Sequence, residues 1–150
     1  MKKYLKLIPL LVILILAGCG KKDEIVSSEL SQALIDANLF CEQLTVIDND
    51  NAEKRYSLNS KDYSELTAAV GTVSTCDEFA IIKTGNTDAV VKDINEYLEL
   101  KRERYEKYRP DETYKLNAPI IEVYNDAVML IVTSDTDRAM KVYQEYLKKG

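Results

Sequence analysis

The sequence predicts an α+β fold: two tandem strand-strand-helix units forming a four-stranded, mainly antiparallel sheet with helices on one face, preceded by an N-terminal helix. Three observations predict it. Apolar residues recur at helical spacing in some segments and run as short continuous stretches, bounded by turn residues, in others. The segments 77–98 and 126–147 fall into register at an offset of 49 residues, so the same strand, turn and helix pattern occurs twice. The composition is that of a compact domain: 46% apolar and 30% charged residues, with only five glycines and three prolines.

The chain opens with Lys2, Lys3 and Lys6, continues through the aliphatic run Leu7 to Leu16, and then turns to small residues at Ala17-Gly18-Cys19. A charged start, an apolar stretch and small residues before a cleavage point define a secretory signal. The run is shorter than the roughly 20 residues that span a bilayer as a helix. Leu16-Ala17-Gly18-Cys19 resembles the lipobox of bacterial lipoproteins, which implies removal of residues 1–18 and acylation of the Cys19 thiol. Two or more acyl chains hold a protein at a membrane where one holds it only marginally. The expected organisation is a signal peptide at 1–18, the lipidated Cys19 with a short polar tether to residue 24, and a single domain over 25–150. Its expected place is the extracytoplasmic face of the cell membrane.

About 130 residues then remain, enough for one domain. The formal charge of the whole chain is −5, and the leader removes lysines but no acids, so the remainder is more acidic still. Such a surface repels phosphate backbones and disfavours nucleic acid as a partner. The chain contains no histidine and no tryptophan. Without imidazole there is no Ser-His-Asp or Cys-His catalysis and no histidine-based zinc site. Beyond Cys19 the cysteines are Cys41 and Cys76, candidates for a disulfide in an exported protein or, alternatively, two buried thiols. No Cys-x-x-Cys redox motif is present.

Within the domain, Ile25, Leu30, Ala33, Leu34 and Ala37 have helical spacing, and Asn38 ends that helix. Leu39 to Ile47 reads as a short extended segment, followed by a turn at Asp48-Asn49-Asp50-Asn51 that caps a small helix over 52–56. The repeat spans about 66–98 and 116–147. Its identities are Asp77/Asp126, Thr84/Thr133, Thr87/Thr136, Asp88/Asp137, Lys92/Lys141, Glu96/Glu145, Tyr97/Tyr146 and Leu98/Leu147. Leu66, Ala68, Val70 and Val73 correspond to Leu116, Ala118, Ile120 and Val123 as the preceding strands. The first repeat helix carries its stripe through Ile94, Tyr97, Leu98, Lys101, Tyr105 and Tyr108, about three turns beyond the match, until Arg109-Pro110 stops it. Tyr105 and Tyr108 on that extension form a candidate binding face.

The stretches RYSLNSKDYSEL (55–66), DEFAIIK (77–83) and NAPIIEVYNDAVMLIVTSDTDRA (117–139) resemble the small bacterial lipoproteins catalogued as domain of unknown function 4358. The resemblance implies an exported, lipid-anchored α+β domain and no particular activity. Cys76 stands where that family often has a smaller residue, so a Cys41–Cys76 bridge would be a local feature.

Other motifs point to structure rather than chemistry. Asp48-x-Asp50-x-x-Glu53 lacks the glycine and final acid of a calcium loop. The turns Gly85-Asn86-Thr87-Asp88 and Ser134-Asp135-Thr136-Asp137 could present helix N–H groups to an anion, but their own side chains are better caps. Asp77 and Glu78 are adjacent and, on a strand, point to opposite faces. No cofactor and no metal site is expected, and no catalytic residue is assigned. The expectation is a membrane-anchored binding or accessory module, with its protein or small-molecule partner unknown. Rivals are a one-domain solute-binding component of a transport system and, less favoured, a carboxylate hydrolase.

Overall fold

The computed structural model describes residue 20 and residues 22–149; Cys19 and the leader lie outside the described residues. Among the described residues, five helices and five strands follow one another as α1 (Ser27–Asp36), β1 (Thr45–Ile47), α2 (Asn49–Tyr56), β2 (Glu65–Val70), β3 (Glu78–Lys83), α3 (Thr87–Tyr108), α4 (Thr113–Leu116), β4 (Ile120–Tyr124), β5 (Ala127–Val132) and α5 (Thr136–Lys148), with a 3-10 turn at Pro110–Glu112 before α4. The strands form one sheet in the order β1-β2-β3-β5-β4, and every neighbouring pair is antiparallel.

The α+β class and the two strand-strand-helix units stand as the sequence predicts, with two differences. The sheet has a fifth strand, because Thr45–Ile47 pairs with Ala68–Val70 at the edge of β2. The helices cover both faces rather than one. Ala80 and Ile82 of β3, with Val128, Leu130 and Val132 of β5, pack beneath Val90, Ile94 and Leu98 of α3 and Ala52 and Tyr56 of α2. Phe79 and Ile81, with Met129 and Ile131, face Leu30 and Leu34 of α1 and Ala139, Tyr143 and Tyr146 of α5. All six residues of β3 and all six of β5 are buried, as central strands covered on both sides must be. The second unit also differs at its start: Leu116 closes α4, and β4 begins only at Ile120. Val73 is not in a strand but is almost wholly exposed in the loop after β2.

The repeated residues perform repeated tasks. At the end of β3, Thr84 Oγ1 donates to the Asp62 carbonyl and accepts from the Asn86 N–H. At the end of β5, Thr133 Oγ1 donates to the Leu39 carbonyl and accepts from the Asp135 N–H. Asn86 then caps α3 through the Ala89 N–H, and Asp135 caps α5 through the Arg138 N–H, each at 3.2 Å. These turns are therefore helix caps, and Asp48 likewise caps α2 at 2.8 Å from the Asn51 N–H. Asn38 adopts a left-handed conformation just after α1, and Asn125 does so in the two-residue turn joining β4 to β5.

The segment expected to be a tether is docked from residue 22 onward. The Lys22 N–H donates to the Leu147 carbonyl, Tyr124 OH to the Lys22 carbonyl, and Asn125 Nδ2 to the Asp23 carbonyl. Glu24 pairs with Lys83 at 2.7 Å, and Tyr146 OH accepts the Val26 N–H at 2.8 Å. These partners gather at one end of the sheet, where β3 ends and the β4–β5 turn lies.

Candidate functional site

The opposite end of the sheet carries a buried charge network. Glu78, the first residue of β3, has no exposed side-chain surface and points toward α3. Lys101 Nζ donates to its Oε1 at 2.7 Å and to the Cys76 carbonyl at 2.8 Å. Tyr97 OH lies 2.9 Å from both carboxylate oxygens, and Tyr56 OH and Arg55 Nη1 reach Oε2 at 3.3 and 3.4 Å. Arg55 also donates to Tyr97 OH at 2.7 Å, and the Tyr56 and Tyr97 rings meet edge to face with centroids 5.0 Å apart. Beside it, Lys115 Nζ lies 2.9 Å from Asp77 Oδ1 and 2.8 Å from Glu112 Oε2. Asp77 Oδ2 accepts the Cys41 N–H at 2.7 Å, and Glu112 accepts from the Cys76 N–H and from Thr75 Oγ1.

Asp77, Glu78 and Glu112 are thus matched by Arg55, Lys101 and Lys115, and the network carries no net formal charge. That balance is what burial of Asp77, Glu78, Lys101 and Lys115, with Arg55 and Glu112 half-buried beside them, requires. Burial, reinforced by the Glu78 charge, drives the Tyr97 phenol far above its ordinary value, and the same causes raise Tyr56. Both remain hydrogen-bond donors at any physiological pH. Burial opposes the charge of Lys115, but the hydrogen bonds to Glu112 and Asp77 prevail and raise its pKa. Burial also opposes ionisation of Glu112, yet Lys115, the Cys76 N–H and the Thr75 hydroxyl hold it below the ordinary carboxylate value. Asp77 and Glu78 each serve a different cation, as their alternation along the chain predicts. The arrangement fixes the amino-terminal end of β3 to α2, the carboxy-terminal half of α3 and the following 3-10 turn.

Cys41 and Cys76 are free thiols, so the bridge allowed by the sequence is not formed in this structure. Each sulfur has a different partner: Cys41 Sγ donates to Thr75 Oγ1 at 3.2 Å, and Cys76 Sγ to the Glu112 carbonyl at 3.4 Å. Cys76 is buried and its thiol is pushed up to about 12 by desolvation, whereas Cys41 is exposed.

Next to this network a cleft of about 780 Å³ opens between α2, the Gly71–Asp77 loop and α3. Tyr97, Leu100, Lys101, Arg104, Tyr105 and Tyr108 form its α3 wall, at the helical spacing of one continuous face. Both tyrosines proposed from sequence as a binding face are therefore brought together there. Tyr105 is fastened through its hydroxyl to the Thr75 carbonyl at 2.7 Å, while Tyr108 is 77% exposed. Lys54, Arg55 and Arg109 add positive charge, and the one acid in the lining, Asp77, is already committed to Lys115 and the Cys41 N–H. At Gly71 the loop passes close to its neighbours. A Cβ there would stand 2.5 Å from Thr75 Cγ2 and 2.8 Å from Glu42 Oε1.

The sequence reading missed the buried roles of Arg55, Glu112 and Lys115. For Lys101 a signal existed, a lysine inside an otherwise apolar and aromatic helical stripe. Among the described residues, no group of three or more cysteine or acidic side chains is placed to hold a metal ion. No helix among them is long and apolar enough to cross a membrane.

Fold and site together define a small α+β domain, layered helix-sheet-helix, with a cation-rich cleft braced by an internal ion network. The chain belongs to the family catalogued as a domain of unknown function, DUF4358, which matches residues 39–133. The match includes β1 to β5, the whole ion network and the cleft lining. No match was found among curated proteins or among solved structures.

Proposed function

We propose that this chain is an extracytoplasmic lipoprotein, held at the cell membrane by lipid on Cys19, whose domain is a binding module working through the cleft between α2 and α3. The observation that carries the binding reading is the cleft itself. Its volume lies within the range of roughly 300–1,000 Å³ typical of small-molecule sites, and its walls combine three tyrosines with a cluster of cations. The network beneath it fixes geometry: its three carboxylates are each bonded to a cation, which supports binding over acid-base catalysis. A one-domain solute-binding component of a transport system is the alternative form of the same reading.

The lipobox-like residues support the anchor reading, and the chain is docked on the domain from Lys22 onward. Cys19 is three residues from the docked Lys22, a reach of roughly 10 Å when extended. The domain would therefore ride close to the bilayer. Intact mass of the protein recovered from membranes tests the anchor. A chain beginning at Cys19 and carrying acyl mass is expected; retention of residues 1–18 without acyl mass would overturn it.

A further inference from the structure

We infer that the cleft takes a soluble organic anion, a carboxylate or phosphate carried on an apolar or aromatic body, and takes it at the pole of the domain facing away from the bilayer. The inference deepens the binding-module reading and rests on it. Two independent features of the cleft specify the ligand.

The first is charge. Lys54 and Arg104 are exposed in the cleft and make no ion pair among the described residues, unlike Lys101 and Arg55, which serve Glu78, and Arg109, which pairs with Asp111. They stand on opposite walls, Lys54 on α2 and Arg104 on α3. On a chain of net charge −5, a cavity with two uncommitted cations and no uncommitted acid is a local reversal of the surface field. A concave site of that kind concentrates anions.

The second is exposed apolar surface in the same cleft. Val73 is 92%, Tyr108 77% and Leu100 64% exposed, and all three line the cleft. Their distribution along the loop and α3 places apolar surface beside the free cations rather than on a separate face. A bare inorganic anion would leave this surface wet; an anion with an apolar body covers it.

The position favours a soluble anion over a lipid headgroup. Residues 22–24 are fastened near Lys83, at the end of β3, whereas the cleft lies at Gly71, Thr75 and Asp77, beside its beginning. The six residues of β3 separate the two ends by roughly 17 Å at about 3.4 Å per residue. An anchor at the tether end points the cleft toward bulk solvent.

The test uses the full chain in discs of phosphatidylcholine, titrated calorimetrically at about 0.1 M salt, where charge is screened within roughly 10 Å. Phenyl phosphate and benzoate are the probes, with inorganic phosphate, acetate and phenol as controls. Saturable one-to-one binding of at least one aromatic anion is expected, at least tenfold tighter than its inorganic or short-chain counterpart and than phenol. The variant Lys54→Glu/Arg104→Glu should weaken it at least tenfold while its circular dichroism and urea midpoint match the parent. Absence of saturable binding by both aromatic anions, or equal affinity in the folded double variant, would overturn the ligand class. Adding phosphatidylglycerol to the discs should leave the affinity within twofold; competition by that lipid would assign the cleft to headgroups and overturn the membrane-distal placement. The same titration on a Cys19→Ser chain in nonionic detergent reads the cleft without the anchor, so failure of the anchor and failure of the ligand class are separately visible.

Discussion

Breaking the Glu78–Lys101 pair tests how the cleft wall is held. Glu78→Leu leaves Lys101, 7% exposed, without its carboxylate and strips Tyr97 and Tyr56 of their common acceptor. Removing one partner of a buried ion pair costs about 3–5 kcal/mol, because the other charge stays desolvated. Lys101→Met leaves Glu78 with Arg55 and the two tyrosines, and should cost less, about 2–3 kcal/mol, since part of the compensation survives. The double variant replaces both charges by apolar groups of similar length. Its loss should therefore fall short of the sum of the single losses by a coupling of about 1–3 kcal/mol. Urea unfolding followed by far-ultraviolet circular dichroism measures all four corners, the chain having no tryptophan to report by fluorescence. With a slope of about 1–3 kcal/mol per molar, the Glu78→Leu midpoint should fall by at least 1 M. A loss below 1 kcal/mol for Glu78→Leu, or strict additivity in the cycle, would refute the view that this pair braces α3 against β3.

Three further outcomes follow from the same structure. Gly71→Ala should destabilise the domain by about 1–3 kcal/mol, since its Cβ would meet Thr75 Cγ2 at 2.5 Å, and adding Thr75→Ser should return part of the loss by removing that methyl; urea midpoints that do not separate the two variants would contradict this. The carboxyl of Glu112 has a folded-state pKa below its ordinary 4.5, so its contribution is complete above about pH 4.5 and disappears as pH falls through the lower folded value. The urea midpoint should therefore drop further between pH 7 and pH 3 in the parent than in Glu112→Gln, and equal drops would count against the contact. In a Cys19→Ser chain, a thiol reagent at pH 8 should label the exposed Cys41 in the native state, slowed by a thiol that desolvation raises, and Cys76 only on unfolding, because Cys76 is buried with its thiol pushed up to about 12; native-state labelling of both at the same rate would contradict the packing.

Much of the fold was legible in the sequence because its local signals are strong. The offset of 49 residues found two strand-turn-helix segments whose threonines and caps do the same work. The extension of α3 beyond the repeat marked the stretch that becomes the cleft wall, and Tyr105 and Tyr108 lie there. The covering of both faces was harder to read, although β3 and β5 held a clue: their apolar runs do not alternate, the pattern of strands buried on two sides. The strand β1 gave no such signal, being three residues long with Val46 62% exposed at the sheet edge. The ion network was illegible for a different reason. Lys115 and Glu112 are ordinary surface residue types on short helical turns, and only the tertiary approach of those turns to Thr75–Glu78 buries them.

Mapping a bound ligand shows whether the cleft between α2 and α3 is the binding site. Amide chemical shifts of the ¹⁵N-labelled full chain in phosphatidylcholine discs would be followed as phenyl phosphate is added. Changes are expected to centre on residues 54–57, 71–75 and 100–109, with the tether contacts at 22–26 and the turn at 124–127 unmoved. Changes gathered at that tether end, or spread evenly over the surface, would contradict it.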